Sequence, residues 1–139
     1  MPDCDLKMGD FMPRVSAAFF AVGVLCALCG MGFGMWMGAH ADFTAAPAHA
    51  HLNLVGWVTM ALYGTFYALT RNTLPVKLAW VQFAISTIGI LVMIPSLFLL
   101  LLNGNDPKFE PGVTAGSIFV FLGMLIFAVS VFKELARKR

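Results

Sequence analysis

The chain has 139 residues, of which 60% are hydrophobic and only 12% charged, and its mean hydropathy is +0.85. Soluble domains carry about 25% charged residues, so this composition excludes a soluble globule. The net charge of +2 comes with no basic patch interleaved with aromatics, so nucleic acid is not expected as a partner. What remains is an all-α integral membrane protein in a single domain, because the gaps between the charge blocks are each long enough to cross a bilayer.

Met1 to Met12 reads as a mixed-charge tail, with Asp3, Asp5, Lys7 and Asp10, lying at the membrane surface. The first span is expected at about 13–37, longer than the ~20 residues a helix needs to cross hydrocarbon. It is too long for a cleaved signal peptide and is read as retained. Gly30, Gly34 and Gly38 fall at i, i+4 and i+8, the small-residue spacing that lets helices approach closely in lipid. Cys26, Cys29, Met31, Met35, Met37 and His40 run up the outer half of this helix. A loop over about 39–45 would hold His40 and Asp42, with Thr44 capping the next helix and Pro47 in its first turn.

The second span is expected at about 46–69 and carries Ala48-His49-Ala50-His51-Leu52-Asn53-Leu54-Val55-Gly56-Trp57 at its start. The third follows at about 75–102, with Pro95 as an expected kink. Asn103-Gly104-Asn105-Asp106-Pro107 signals a turn. The fourth span is expected at about 111–131, continuing helically through Glu134. Four alternating helices put Lys7, Arg14, Arg71, Lys77, Lys133, Arg137, Lys138 and Arg139 on one side and Lys108 on the other. The positive-inside rule then makes both termini cytoplasmic and puts the histidines at the outer face of an inner (plasma) membrane, as a multi-pass protein.

His49 and His51 are two residues apart, so on a regular helix they diverge by about 200°. They cannot chelate one metal ion, which needs i, i+4 spacing. Each instead serves a different neighbour, as on a helix at a subunit boundary. Cys and Met favour Cu(I), but they are also ordinary apolar fillers. No carboxylate is expected inside a span, with Asp42, Asp106 and Glu110 all assigned to loops.

The run Ala48-His49-Ala50-His51, followed by Gly56, Ala61, Gly64 and Phe66, resembles helix ten of the catalytic subunit I of haem–copper oxidases and nitric oxide reductases. There a His-x-His pair begins the helix and its imidazoles ligate two different haems. His51-Leu52-Asn53-Leu54 is also similar to the His-x-Asn/Ser start of helix two in the nitric oxide reductase branch, which holds the low-spin haem. Subunit I is a ring of three four-helix arcs. The resemblance therefore implies that this chain is one arc standing alone, a homo-oligomer with a trimer favoured. It also implies haem b between protomers, held by His51 of one and His49 of the next, with Asn53, Gly56 and Trp57 around it. A bis-His iron has no open position, which suits electron transfer or redox sensing with a quinol or cytochrome partner. Helices three and four contain no His, so the copper-B ligands are missing, and Tyr63 and Tyr67 lack the family's His–Tyr arrangement; oxygen reduction is not expected. Two alternatives stand beside this. One is copper or zinc handling by His40, His49, His51, Met35 and Met37; the other is a structural or assembly subunit of a respiratory complex.

Overall fold

The computed structural model describes residues 12–137. Among them every regular element is helical, and four helices are long and apolar enough to cross a bilayer. We label them α1 (Arg14–His40), α2 (Ala46–Leu69), α3 (Val76–Leu102) and α4 (Glu110–Leu135), the last preceded by a 3-10 turn at Pro107–Phe109. The N-terminal tail with Cys4 and Lys7, and Lys138 and Arg139 at the other end, lie outside the described residues.

Two ends differ from the expectation. α1 runs on through Ala39 and His40, so His40 stands in a last helical turn and not in a loop. The helix is closed by Ala41 in the left-handed region (φ 50°), with Asp42 N–H donating to Met37 O at 3.2 Å and Ala41 N–H donating to Gly38 O at 3.4 Å. These are the bonds of a glycine-type cap made with alanine. Thr44 does not cap α2: Ala45 holds that position and makes no side-chain bond. Asp42 Oδ1 accepts the Thr44 N–H at 3.0 Å instead, so the aspartate tightens the turn. At the other end of the chain, Glu110 is the first residue of α4 rather than part of the loop. α3 continues as helix through Pro95.

The helices pack as two antiparallel pairs, each notched by glycine. Across α1 and α2, Gly23 meets Trp57, Gly30 meets Asn53, Gly34 meets His49, Gly56 meets Cys26, and Gly64 meets Ser16 and Phe20. Across α3 and α4, Gly89 meets Val120, Gly112 meets Ser96, Gly116 meets Met93 and Gly123 meets Ser86. A methyl on Gly116 would lie 2.6 Å from Met93 Cα, so there the two backbones themselves are in contact. Close approach of this kind lets apolar helices gain van der Waals contact along their whole length.

The antiparallel pairing gathers Arg14, Arg71, Lys77, Lys133 and Arg137 at one end of the bundle, with Lys108 and the three histidines at the other. We refer to these as the Arg end and the His end. The pairs meet around Phe19, which is fully buried and packs edge-on to Tyr63 (5.7 Å) and Phe83 (5.2 Å) and stacked on Tyr67 (5.9 Å). Beside it, Tyr67 O–H donates to Gln82 Oε1 and lies 2.9 Å from Ser130 Oγ, tying α2 to α3 and α4. At the Arg end, Thr73 O–H donates to Glu134 at 2.6 Å.

Candidate functional site

The segment bearing the histidines is not a uniform helix. α2 starts as an α-helix over Ala46–His51, passes through a π-helix over Leu52–Thr59, and resumes as an α-helix over Met60–Leu69. π-Helix is rare and concentrates at functional sites. A change of register leaves carbonyls under-bonded, and within hydrocarbon each must be satisfied internally. Side chains add bonds to carbonyls at both ends of the segment. Asn53 Nδ2–H donates to His49 O at 2.9 Å, and Thr59 O–H donates to Leu54 O at 2.8 Å.

The two imidazoles go to different surroundings. His49 is half-buried and turned toward α1: a methyl on Gly34 would lie 2.9 Å from its Cε1, and the Phe33 ring is centred 6.2 Å away. The Asn53 amide nitrogen sits over the ring, 3.4 Å from Nδ1 and 3.5 Å from Nε2. His51 is exposed on the far side of the helix. Its Nδ1 lies 2.8 Å from Pro47 O. A carbonyl can only accept, so Nδ1 carries the proton and, in the neutral ring, Nε2 keeps a lone pair on this exposed side chain. Metal-ligating histidines are oriented in this way, one nitrogen held by a carbonyl and the other offered to the metal.

His40 repeats the device one helix away. Its Nδ1 is 2.9 Å from Trp36 O, and its ring stacks on Trp36 at 4.7 Å. Trp36 in turn stacks on Phe33 at 5.9 Å. An aromatic ladder therefore runs from His40 to His49 along the His end of α1.

Of the remaining residues singled out by sequence, Asn53 fills the Gly30 notch, Gly56 receives Cys26, and Trp57 lies over Gly23 with Cε3 3.1 Å from a methyl position there. All three thus belong to the α1–α2 seam. Met35 and Met37 do not share a face: Met35 is 72% exposed and Met37 is 4% exposed. Cys26 and Cys29 do share one, lining an apolar groove of about 390 Å³ between α1 and α3 with Leu52, Ile90 and Pro95. Among the described residues, no three His, Cys, Asp or Glu side chains converge as a metal-ligating group. The π segment and Gly23 are the parts of the site that sequence reasoning missed. Asn and Thr six residues apart, at the segment's two ends, are the only trace of the π turn in the chain.

No family model, curated protein or solved structure matches this chain.

Proposed function

We propose that this chain is a haem b-binding protein of the inner membrane, spanning it four times, that carries electrons or senses redox state through a bis-His iron shared between protomers. The observation that carries the reading is His51: an imidazole on an outward surface of an apolar helix, its Nδ1–H fixed on Pro47 O and its Nε2 left to an external partner. An uncompensated ionisable group on such a surface is costly, so a ligand or a neighbouring chain is implied. The donor chemistry fits a haem iron, and an iron held by two imidazoles supplies one-electron transfer without an open position.

In this reading His51 would hold the iron from one protomer and an imidazole of a second protomer would complete its ligation, because neighbouring positions on one helix cannot reach the same iron. His49 faces α1 of its own chain, so its use by a neighbour would require the ring to leave the Gly34 notch. Pro47 holds the tautomer of His51, and the π segment sets the direction in which the ring leaves the helix. The likeness to one arc of a haem–copper oxidase ring favours three copies. The Arg end would face the cytoplasm and the His end the outside.

Absorption spectra of protein purified after haem-supplemented expression test this directly. A sharp Soret band with split visible bands on reduction is expected in the native protein and none in His51→Ala. Colourless native protein, or a full spectrum in His51→Ala, refutes the assignment. His49→Ala identifies the second ligand: lost low-spin character assigns it to His49, and an unchanged spectrum assigns it to a second His51.

A further inference from the structure

A small cavity lies where the π segment ends, independent of the histidines. It is bounded by Val55, Thr59, Met60 and Tyr63 of α2, Ser86 and Ile90 of α3, and Val120 of α4, and its volume is about 10 Å³. That is the room a single water occupies when measured by the positions open to its centre. Ser86 is 4% exposed, sits against Gly123, and among the described residues no atom hydrogen-bonds its Oγ. A buried hydroxyl in that condition costs about 1–3 kcal/mol if left alone.

The other polar atoms of the wall have capacity to spare. Thr59 O–H is committed to Leu54 O at 2.8 Å, which leaves its oxygen free to accept. Tyr63 O–H points to Met124 Sδ at 3.7 Å, and its oxygen likewise can accept. The inventory is thus one donor, Ser86, and two acceptors, Thr59 and Tyr63. A water molecule complements it, accepting one bond and donating two, the number of partners typical for internal water.

We propose that this cavity is a binding site for one structural water, which joins Thr59 and Tyr63 of α2 to Ser86 of α3. Its place gives it a task. Thr59 is the last residue of the π segment, so the water anchors the point where α2 returns to α-helical register against the neighbouring helix pair. Its apolar neighbours Val55, Met60, Ile90 and Val120, and its place partway along the long apolar helices, slow its exchange with bulk solvent.

X-ray hydroxyl-radical footprinting of the full-length protein in lipid nanodiscs reads the site, because radicals form from the bound water itself. Tyr63 is expected to be oxidised, whereas Phe19, fully buried with its ring 5.7 Å from Tyr63, is not. After mixing into H2-18O, heavy oxygen should appear at the exposed Trp36 at once and at Tyr63 only later. Ser86→Ala should reduce Tyr63 oxidation to the level of Phe19 and leave Trp36 unchanged. Native Tyr63 labelled no more than Phe19, simultaneous heavy-oxygen uptake at Tyr63 and Trp36, or undiminished Tyr63 labelling in Ser86→Ala would each overturn the proposal. The first two readings use the native protein and do not depend on whether the variant folds.

Discussion

Gly30→Ala tests whether the glycines of α1 serve the side chains of the His segment. A methyl at Gly30 would lie 2.5 Å from both Nδ2 and Oδ1 of Asn53 and 2.8 Å from its Cγ. No rotamer adjustment of the methyl is possible, so Asn53 must leave and its 2.9 Å bond to His49 O is lost. Overpacking costs about 1–3 kcal/mol, and a side-chain hydrogen bond within a membrane bundle adds about 0.6, at most about 1.7 kcal/mol. The gain in helix propensity from Gly to Ala, about 1 kcal/mol in water, acts in the opposite direction. Gly32 and Gly38 remove that ambiguity, since a methyl at either meets nothing within 4 Å. Relative to Gly32→Ala and Gly38→Ala, the Gly30→Ala protein should be less stable by about 1–3 kcal/mol, since the departure of Asn53 relieves part of the clash. Reversible unfolding in mixed micelles of mild detergent and dodecyl sulfate, followed by far-ultraviolet circular dichroism, measures the difference. If all three variants fall within about 0.5 kcal/mol of one another, the ordinary scatter of surface substitutions, the notch is not a packing site and the reasoning fails.

The remaining predictions use the same unfolding assay except where stated. Tyr67→Phe removes the donor that satisfies Gln82 Oε1 inside a fully buried layer and should cost about 1–3 kcal/mol. Gln82→Met made in the Tyr67→Phe background should recover part of that loss, since no buried amide then remains; strict additivity would dissociate the pair. Ala41→Gly should stabilise by about 1 kcal/mol, because Ala41 closes α1 at φ 50°, where a Cβ is unfavourable. A neutral or destabilising result would place the cap elsewhere. Asp106 is held below the usual carboxylate range by Lys108, whose side chain (2.7 Å) and backbone N–H (3.1 Å) both bond it. Asp42 is lowered by the Thr44 N–H. A depressed folded value means that the stabilisation is present above the ordinary carboxylate pKa and is lost as pH falls through the depressed one. Amide exchange at Lys108 and Thr44, corrected for intrinsic rates, should therefore be flat from pH 8 to 5 and rise only below about pH 4. Loosening at pH 6 would refute these assignments.

The four long apolar helices were legible because hydrophobic length is a direct physical requirement of a bilayer, and the structure has four that are long and apolar enough to cross one. The second and third helices begin and end where Pro47, Pro75 and the Asn103-Gly104 turn say they should. The first was read short, because His40 and Asp42 resemble loop residues, whereas the helix tolerates His40 and stops only at Ala41. The opposed directions of His49 and His51 followed from helical spacing alone. What they face did not: local periodicity cannot say that His49 rests on Gly34 while His51 stands outside. Gly30 and Gly34 were read as letting backbones approach. These two face α2 and admit Asn53 and His49, whereas Gly38, read with them as one face, meets nothing within 4 Å. The π segment left almost no signal, since Leu52 to Thr59 has the composition of any apolar helix and the choice of register is made by tertiary packing.

That segment makes α2 two pieces with independent rotational phase. Below it, Tyr63 and Tyr67 lock the helix to Phe19, Gln82 and Ser130; at its start and just above it, Asn53 and His49 lock it to Gly30 and Gly34. An uninterrupted α-helix advances about 100° for each residue, so with the same residues it would bring only one of these sets into place. The π turn absorbs the mismatch as a coupling absorbs an offset between two shafts. Were the same residues to close up as a plain α-helix with none removed, the imidazoles would turn by roughly a quarter of a revolution relative to the tyrosines; removing Val55 would instead let a plain α-helix form with both sets near their present bearings. The compass bearing of His51 on the bundle is thus written into the register of the turn between Leu52 and Thr59, and not into the histidine itself.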